Sequence, residues 1–314
     1  MYLNTLKINS NSTFVSFYLY TMTLMYFSVY TFHGRNDLVW FNHFNINNFT
    51  VNLLYLFLII GFSMFFILIA VTKKTNLVKS IDYLFSINNL VILLPYLFFV
   101  NTVFTFLFLL ELISAILLYK LVSSKIWFKK SIISKIINNN VPQNYINMVF
   151  FQYWVTFFST IFIVYFYVNV FYLYGTSEWF VIQFFNTLEI ESTHSSTSSV
   201  RILILIFITS IFFKLGVTPF HLFKIEVYKG IPFLSIFFYS TYYFIIFFLF
   251  FLFLLSDYLA LFSNHYFIFI SLLLLLGSIY AITLLFDLSF LKTFFTYSTV
   301  INTIGFLIAF VANL

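Results

Sequence analysis

The sequence predicts an all-α integral membrane protein of about nine transmembrane helices. Three observations lead there. Of 314 residues, 62% are hydrophobic and only 8% charged, against roughly 25% charged in soluble domains, and the mean hydropathy is +1.04. Apolar runs of about 20 residues, the length that crosses a bilayer as a helix, recur along the whole chain. The basic residues collect between those runs, in every second connection.

The runs fall at 14–33, 50–72, 82–100, 103–121, 147–173, 200–222, 231–256, 265–286 and 289–312. The first follows a polar leader, Met1 to Ser12, which lacks the charged start and cleavage site of a removed signal. It therefore precedes a retained helix. The third and fourth join in "LVILLPYLFFVNTVFTFLFLLELISAILLYKL", too long for one span, and divide at Asn101-Thr102 as a tight turn. Two connections are long. Residues 122–147 alternate basic and apolar residues at near-helical spacing, which predicts a helix lying on the membrane surface. Residues 174–199 end in a Ser/Thr tract that predicts a flexible loop. Lineage-specific insertion explains either segment equally well.

Charge tests the count, because inside loops collect Lys and Arg. With nine spans and strict alternation, the leader and the even-numbered loops receive twelve of the thirteen lysines. The opposite side receives Arg35 and Arg201. A missed span would scramble that asymmetry, so the N-terminus is expected inside and the C-terminus outside.

Composition also excludes. With no cysteine, the chain offers no thiolate metal site, iron–sulfur ligation or disulfide. Its five histidines show no paired ligand spacing, and no dinucleotide fingerprint occurs. No cofactor and no metal are expected in this chain, and nothing points to nucleic acid. The 51 Phe and 23 Tyr against 7 Gly and 4 Pro favour residues with A/T-rich codons, which suggests an organellar gene.

Two ionisable residues lie well inside predicted spans, Glu111 in the fourth and Lys214 in the sixth. A charge at the bilayer centre costs at least about 2.5–3.5 kcal/mol, so such groups usually face a partner or a hydrated cavity. One acid and one base are the natural pair, and the proton affinity of each depends on whether the other is near. The plainer reading is an ion pair that only fixes helix packing. Pro219 cannot donate to the carbonyl of Leu215, and Gly216 stands beside it, so the sixth helix is expected to break near Lys214. Such interruptions line ion sites in transporters. His221 either passes a proton at physiological pH or bonds a carbonyl at the interface. In "FLKTFFTYSTVINTIGFL", residues 290–307, hydroxyls and an amide lie along one helix, suited to water or to a neighbouring helix.

Three stretches together resemble a known family. "NTVFTFLFLLELISAILLYKL" (101–121) is similar to its glutamate helix, "FFKLGVTPFHLFKIEVYKGIP" (212–232) to its broken lysine helix, and "LKTFFTYSTVINTIGFLIAF" (291–310) to its Leu-Lys-x-x-x-x-Tyr-Ser-Ser helix. The family is the antiporter-like proton-channel subunits of respiratory NADH:ubiquinone oxidoreductase, complex I, in the subunit 2 form. The resemblance implies an antiporter-like inverted-repeat fold, with Glu111 and Lys214 as the ion pair of a proton-translocating half-channel. Gly216 and Pro219 make the helix break, and His221, Tyr242 and Tyr243 are relay candidates.

Residues 1–81 then hold the leader and two helices, 82–230 the first repeat up to the lysine helix, and 231–314 its last helix and the opening of a second repeat. Flavin, iron–sulfur clusters and quinone are implied in other subunits, with membrane-arm neighbours and lipids as partners. The implied location is the mitochondrial inner membrane, with the N-terminus in the matrix and the C-terminus in the intermembrane space.

Three departures accompany the resemblance. Where the family often has a second lysine, thirty residues after Lys214, this chain has Phe244, among Tyr239, Ser240, Thr241, Tyr242 and Tyr243. Lys224-Ile225-Glu226 replaces a Val-Pro-Asp and is expected at the surface. The chain stops near the family's tenth helix, which implies a C-terminally truncated or split subunit completed by a second polypeptide. On that reading the face bearing Thr296, Thr299 and Thr303 packs on foreign helices. Two other functions stay open. A stand-alone or multisubunit cation/proton antiporter would purify without flavin or iron–sulfur partners, and a scaffold with a decayed channel would not conduct.

Overall fold

The computed structural model describes residues 21–23, 26, 30, 37–72, 81–128, 141–184, 197–258, 263–286 and 291–313. The first predicted span, 14–33, lies almost wholly outside them, as do residues 129–140 and 185–196. What is described is all-α apart from one small hairpin. Three helical segments are long and apolar enough to cross a membrane, Val103–Ser123, Tyr145–Tyr174 and Ser235–Ser256. Four shorter apolar ones accompany them, at Asn48–Met64, Tyr83–Phe99, Ile202–Leu215 and Ile270–Phe286.

The hairpin pairs β1 (Asp37–Val39) with β2 (Phe44–Ile46), Asp37 opposite Ile46. Its tip, Trp40 to Asn42, holds three consecutive non-glycine residues at φ 58°, 53° and 67°, a region that costs an ordinary side chain about 1–2 kcal/mol. No glycine marks it, so nothing in the sequence announces this turn.

Helix α1 (Asn48–Thr72) is followed by α2 (Ile81–Leu93), which tightens into a 3-10 segment over Leu94–Phe99. Pro95 at the start of that segment supplies no N–H for the helical ladder. The chain turns at Asn101-Thr102, as expected, and α3 (Val103–Phe128) begins. The turn is held from both sides. Asn101 donates from its side chain to the carbonyl of Asn42 at 2.8 Å and from its backbone to that of His43 at 3.0 Å. Its own carbonyl accepts from Trp179 at 3.0 Å.

Helix α3 runs on to Phe128, and α4 (Val141–Tyr174) starts before the predicted fifth span. Both ends of the 122–147 connection therefore extend the flanking helices rather than forming a separate surface helix. Tyr145 donates to the carbonyl of Val122 at 3.2 Å, which ties these extensions together.

Helix α5 (Thr197–Leu215) ends seven residues before the predicted span and is followed by short α6 (Leu222–Gly230). The predicted seventh span is interrupted: α7 (Phe233–Phe238) passes through a π-helical turn, Tyr239–Tyr243, into α8 (Phe244–Tyr258). The last helices are α9 (Ser263–Phe286) and α10 (Leu291–Asn313). Helix α4 packs on α3, α5 and α6, α2 packs on α3, and α10 packs on α9 and α6.

Two glycines set the closest approaches. A Cβ at Gly61 of α1 would meet Val91 and the Tyr242 ring within 2.5–2.8 Å, and one at Gly277 of α9 would overlap Thr218. Gly305 of α10 has open space around it. Gly277→Leu should destabilise the fold by about 1–3 kcal/mol through overpacking, read as a lower melting temperature in detergent. Gly305→Ala should leave the melting curve in place.

Candidate functional site

The sixth predicted span breaks inside the core. Lys214 stands in the last turn of α5, and Gly216 follows at φ +65°. The N–H groups of Gly216 and Val217 both return to the carbonyl of Phe212, at 3.0 and 3.2 Å. This is a left-handed helix cap, which glycine forms at no steric cost. The break thus starts at Gly216, before Pro219 acts. The Thr218–Pro219 peptide is cis. Phe220 donates to Val217 at 2.8 Å, and the Phe213 and Phe220 rings stack at 3.8 Å across the turn.

Lys214 is 7% exposed, and its ammonium has no hydrogen-bond partner among the described residues. It lines a cavity of about 10 Å³ with Ser114 of α3, Gln152 and Thr156 of α4, and Tyr243 of the π turn. That volume is about the space one water needs. Lys214 stands in the last turn of α5, where the helix dipole favours a cation by about 0.3–1 kcal/mol, and up to about 2 kcal/mol in favourable geometries.

Glu111 takes a different place from the one the pairing reading gave it. Its side chain is exposed on the outer face of α3, one step from Leu112 and one turn from Phe108, both exposed too. It lies within electrostatic reach of Lys214 but forms no ion pair with it. The one ion pair among the described residues joins Glu226 and Lys229 at the surface. Glu111 still touches the cavity's wall indirectly, since Ser114 donates to its carbonyl at 2.8 Å.

The relay candidates divide. Tyr243 lines the cavity and stacks on Tyr239 at 4.9 Å. The Tyr242 hydroxyl is directed at the carbonyls of Phe57 and Val91, at 3.1 and 3.0 Å, and so locks α1 to α2. His221 is buried, its ring edge-on to Tyr280 and Tyr297 with centroids 6.0 and 6.3 Å away.

Two lysines that the sequence places at the inside surface, Lys120 at the end of the fourth span and Lys224 in the loop after the sixth, are buried in the core. Lys224 is 1% exposed, so the segment expected at the surface is core, with Ile225 buried beside it. Its ammonium has no hydrogen-bond partner among the described residues and lies 4.6 Å from the centroid of Phe244. Lys120 is 2% exposed, with its ammonium 3.9 Å from the Phe238 ring and 5.9 Å from that of Tyr83. Desolvated cation–π contacts return about 2 kcal/mol each, less than the cost of an ammonium at the bilayer centre. The signal available in sequence was weak: each lysine is flanked by apolar residues on its buried side, as surface lysines also are.

On α10, Thr296 and Thr303 are buried within this chain and Thr299 is partly so. Each hydroxyl donates to the carbonyl three residues before it, at 2.5, 2.7 and 2.8 Å for Thr296, Thr303 and Thr299. The face expected to wait for foreign helices is therefore turned inward. Leu291, Phe294, Phe295 and Phe306 point outward instead.

No family model matches the chain. Over 84 residues, 26% of this chain, it is 37% identical to an uncharacterized mitochondrial protein, ORF4, of Paramecium tetraurelia. The chain spans about half the length of that relative, 54% of it.

Replacing Gly216 tests the cap directly. Gly216→Ala should cost about 1–2 kcal/mol for the left-handed backbone, with more from a Cβ only 3.1 Å from the Lys224 stem. A melting temperature equal to that of the parent would remove the left-handed cap from the account.

Proposed function

We propose that this chain is a proton-translocating membrane-arm subunit of a mitochondrial NADH:ubiquinone oxidoreductase, holding no redox centre of its own. It crosses the inner membrane about nine times, with its N-terminus in the matrix. The observation that carries the reading is Lys214: a buried ammonium without a hydrogen-bond partner, at a capped helix break, on a cavity of one-water size. A group placed so gains little for packing and can exchange a proton with one water. The mitochondrial relative supports the location.

Glu111 is the second half of the device. Opposite charges attract across a protein interior without touching, and Glu111 lies within electrostatic reach of Lys214. Neutralising or reorienting Glu111 therefore changes how tightly Lys214 holds its proton. A carboxylate in an apolar outward stripe is a poor lipid-facing residue, so α3 faces a neighbouring membrane-arm subunit. That subunit sets the charge state of Glu111 and through it that of Lys214.

Lys214→Ala and Glu111→Ala should each lower proton pumping driven by NADH oxidation at least about tenfold, since either change strands or resets the other group. NADH oxidation by an artificial acceptor should continue, because electrons never enter this chain. Both activities falling together would mark an assembly defect. Purification of the chain in a small assembly without flavin or iron–sulfur subunits would favour the free antiporter instead.

A further inference from the structure

Helix α4 turns one stripe inward. Met148, Gln152, Thr156, Ser159, Ile163 and Phe166, three or four residues apart, are all buried, which is the period of a single helix face. Most of the stripe is apolar or has its polar atom answered. The Thr156 hydroxyl is directed at the carbonyls of Gln152 and Tyr153, at 3.1 and 2.8 Å, and Ser159 donates across to the carbonyl of Ser210 on α5 at 3.0 Å. Gln152 is the exception. It is 4% exposed, and its side-chain oxygen has no hydrogen-bond partner among the described residues. The Ser159 bond fastens α4 to α5 one turn before Lys214, and Gln152 and Lys214 line the same small cavity with Ser114 and Tyr243.

Two orphaned groups of opposite kind therefore meet one space. The Lys214 ammonium carries only donors and the Gln152 oxygen only accepts, yet neither bonds the other directly. The cavity, about 10 Å³, has the size that one water needs. Buried polar atoms without partners are costly, and a single water answers both.

We propose that Gln152 is a positioning residue for Lys214: its side-chain oxygen anchors a water in the shared cavity and so holds that water's lone pair against the ammonium. The inference rests on the proton-translocating reading above. The water accepts from Lys214 Nζ and donates to Gln152 Oε1, with Ser114 Oγ as its second acceptor. Ser114 suits that place, because it gives its own proton to the carbonyl of Glu111 at 2.8 Å and keeps its oxygen for accepting. Three such partners are what a buried water usually has. Gln152 carries no proton itself, since a side-chain amide does not ionise at physiological pH. It acts by supplying the acceptor, through water, that favours a charged amine over a neutral one.

The titratable groups about Lys214 are Glu111 of α3, within electrostatic reach, Tyr243 of the π turn with Tyr239 stacked on it, and Lys224 of α6, whose stem lies beside Gly216. The buried stripe of α4 brings none. A change at Gln152 therefore leaves every ionisable neighbour in place.

Leucine fills most of the glutamine's space and offers no acceptor. In membranes carrying the assembled enzyme, Gln152→Leu should lower NADH-driven pumping about tenfold, normalised to assembled complex, the scale of a lost hydrogen bond to a charged group. The alkaline limit of pumping should also move down by about one pH unit, because the amine has lost the acceptor that favours its charged form. Gln152→Asn keeps the amide and the water, and should pump near the parental rate with the parental pH profile. A packing role alone would leave the pH profile of every variant unchanged. A leucine variant with the parental profile, at whatever rate, therefore overturns the proposal, and so does an asparagine variant as impaired as the leucine one. Where the leucine variant does not assemble, Gln152→Met is read by the same criterion. Lys214→Ala is measured alongside. If it abolishes pumping while Gln152→Leu pumps as the parent does, this inference alone fails; if it has no effect, the proton-translocating reading fails and this inference with it.

Discussion

A helix that ends inside a membrane protein leaves carbonyls and, here, an ammonium to be answered by protein alone. That constraint organises the chain. The α5 terminus is closed by Gly216 and Val217 returning to Phe212, and the two arms of the turn are pinned by the Phe213–Phe220 stack. Thr218 presses onto Gly277 of α9, where any side chain would collide. Helix α6 then lies against α4 and α10. Its final carbonyl region is met by Lys292 of α10, which donates to Ile231 at 2.7 Å and Lys229 at 3.3 Å. A cation at a helix C-terminus complements the dipole there. The break is thus enclosed by α4 from the middle of the chain and by α9 and α10, which keeps irregular backbone away from lipid, where it would be intolerable.

The π turn is the counterpart of that break. One residue of the turn, Tyr242, points towards α1 and α2 and fixes their separation through Gly61. The next, Tyr243, points to the Lys214 cavity. Consecutive residues about a hundred degrees apart on a helix can serve opposite neighbours in this way, and the extra residue of a π turn places both rings where a regular helix would not. π-bulges are frequent at functional sites for that reason. The turn therefore couples packing on one side to polar contacts on the other.

Much of this architecture was legible in sequence, and the gaps have identifiable causes. The Asn101-Thr102 division, the break beside Lys214 and the run from 103 to 121 followed from span length and from Gly and Pro chemistry. The hairpin tip at Trp40 to Asn42 carried no glycine, so nothing announced its left-handed backbone. The π turn "YSTYY" has ordinary helix spacing, and only its neighbours make the extra residue favourable. Charge read along the chain puts Lys120 at a span end and Lys224 in a loop. Burial is decided across it, by Phe238 and Phe244, which stand 118 and 20 residues away. Glu111 and Lys214 were found as unusual residues, but which way each pointed depended on helix rotation that one sequence does not encode.

Rotation also alters what the two charged groups can do for each other. A direct pair would have neutralised itself and resisted both proton loss and proton gain, since removing either charge would strand the other. Here the carboxylate stands on the outer face of α3 and the ammonium inside, with Ser114 and one-water space between the helix that carries the first and the group that forms the second. Glu111 acts on Lys214 across that gap through its charge alone. On the proposed reading, an acid placed outside and a base placed inside make a switch that a neighbouring subunit can address, whereas a contact pair would be only a fastening.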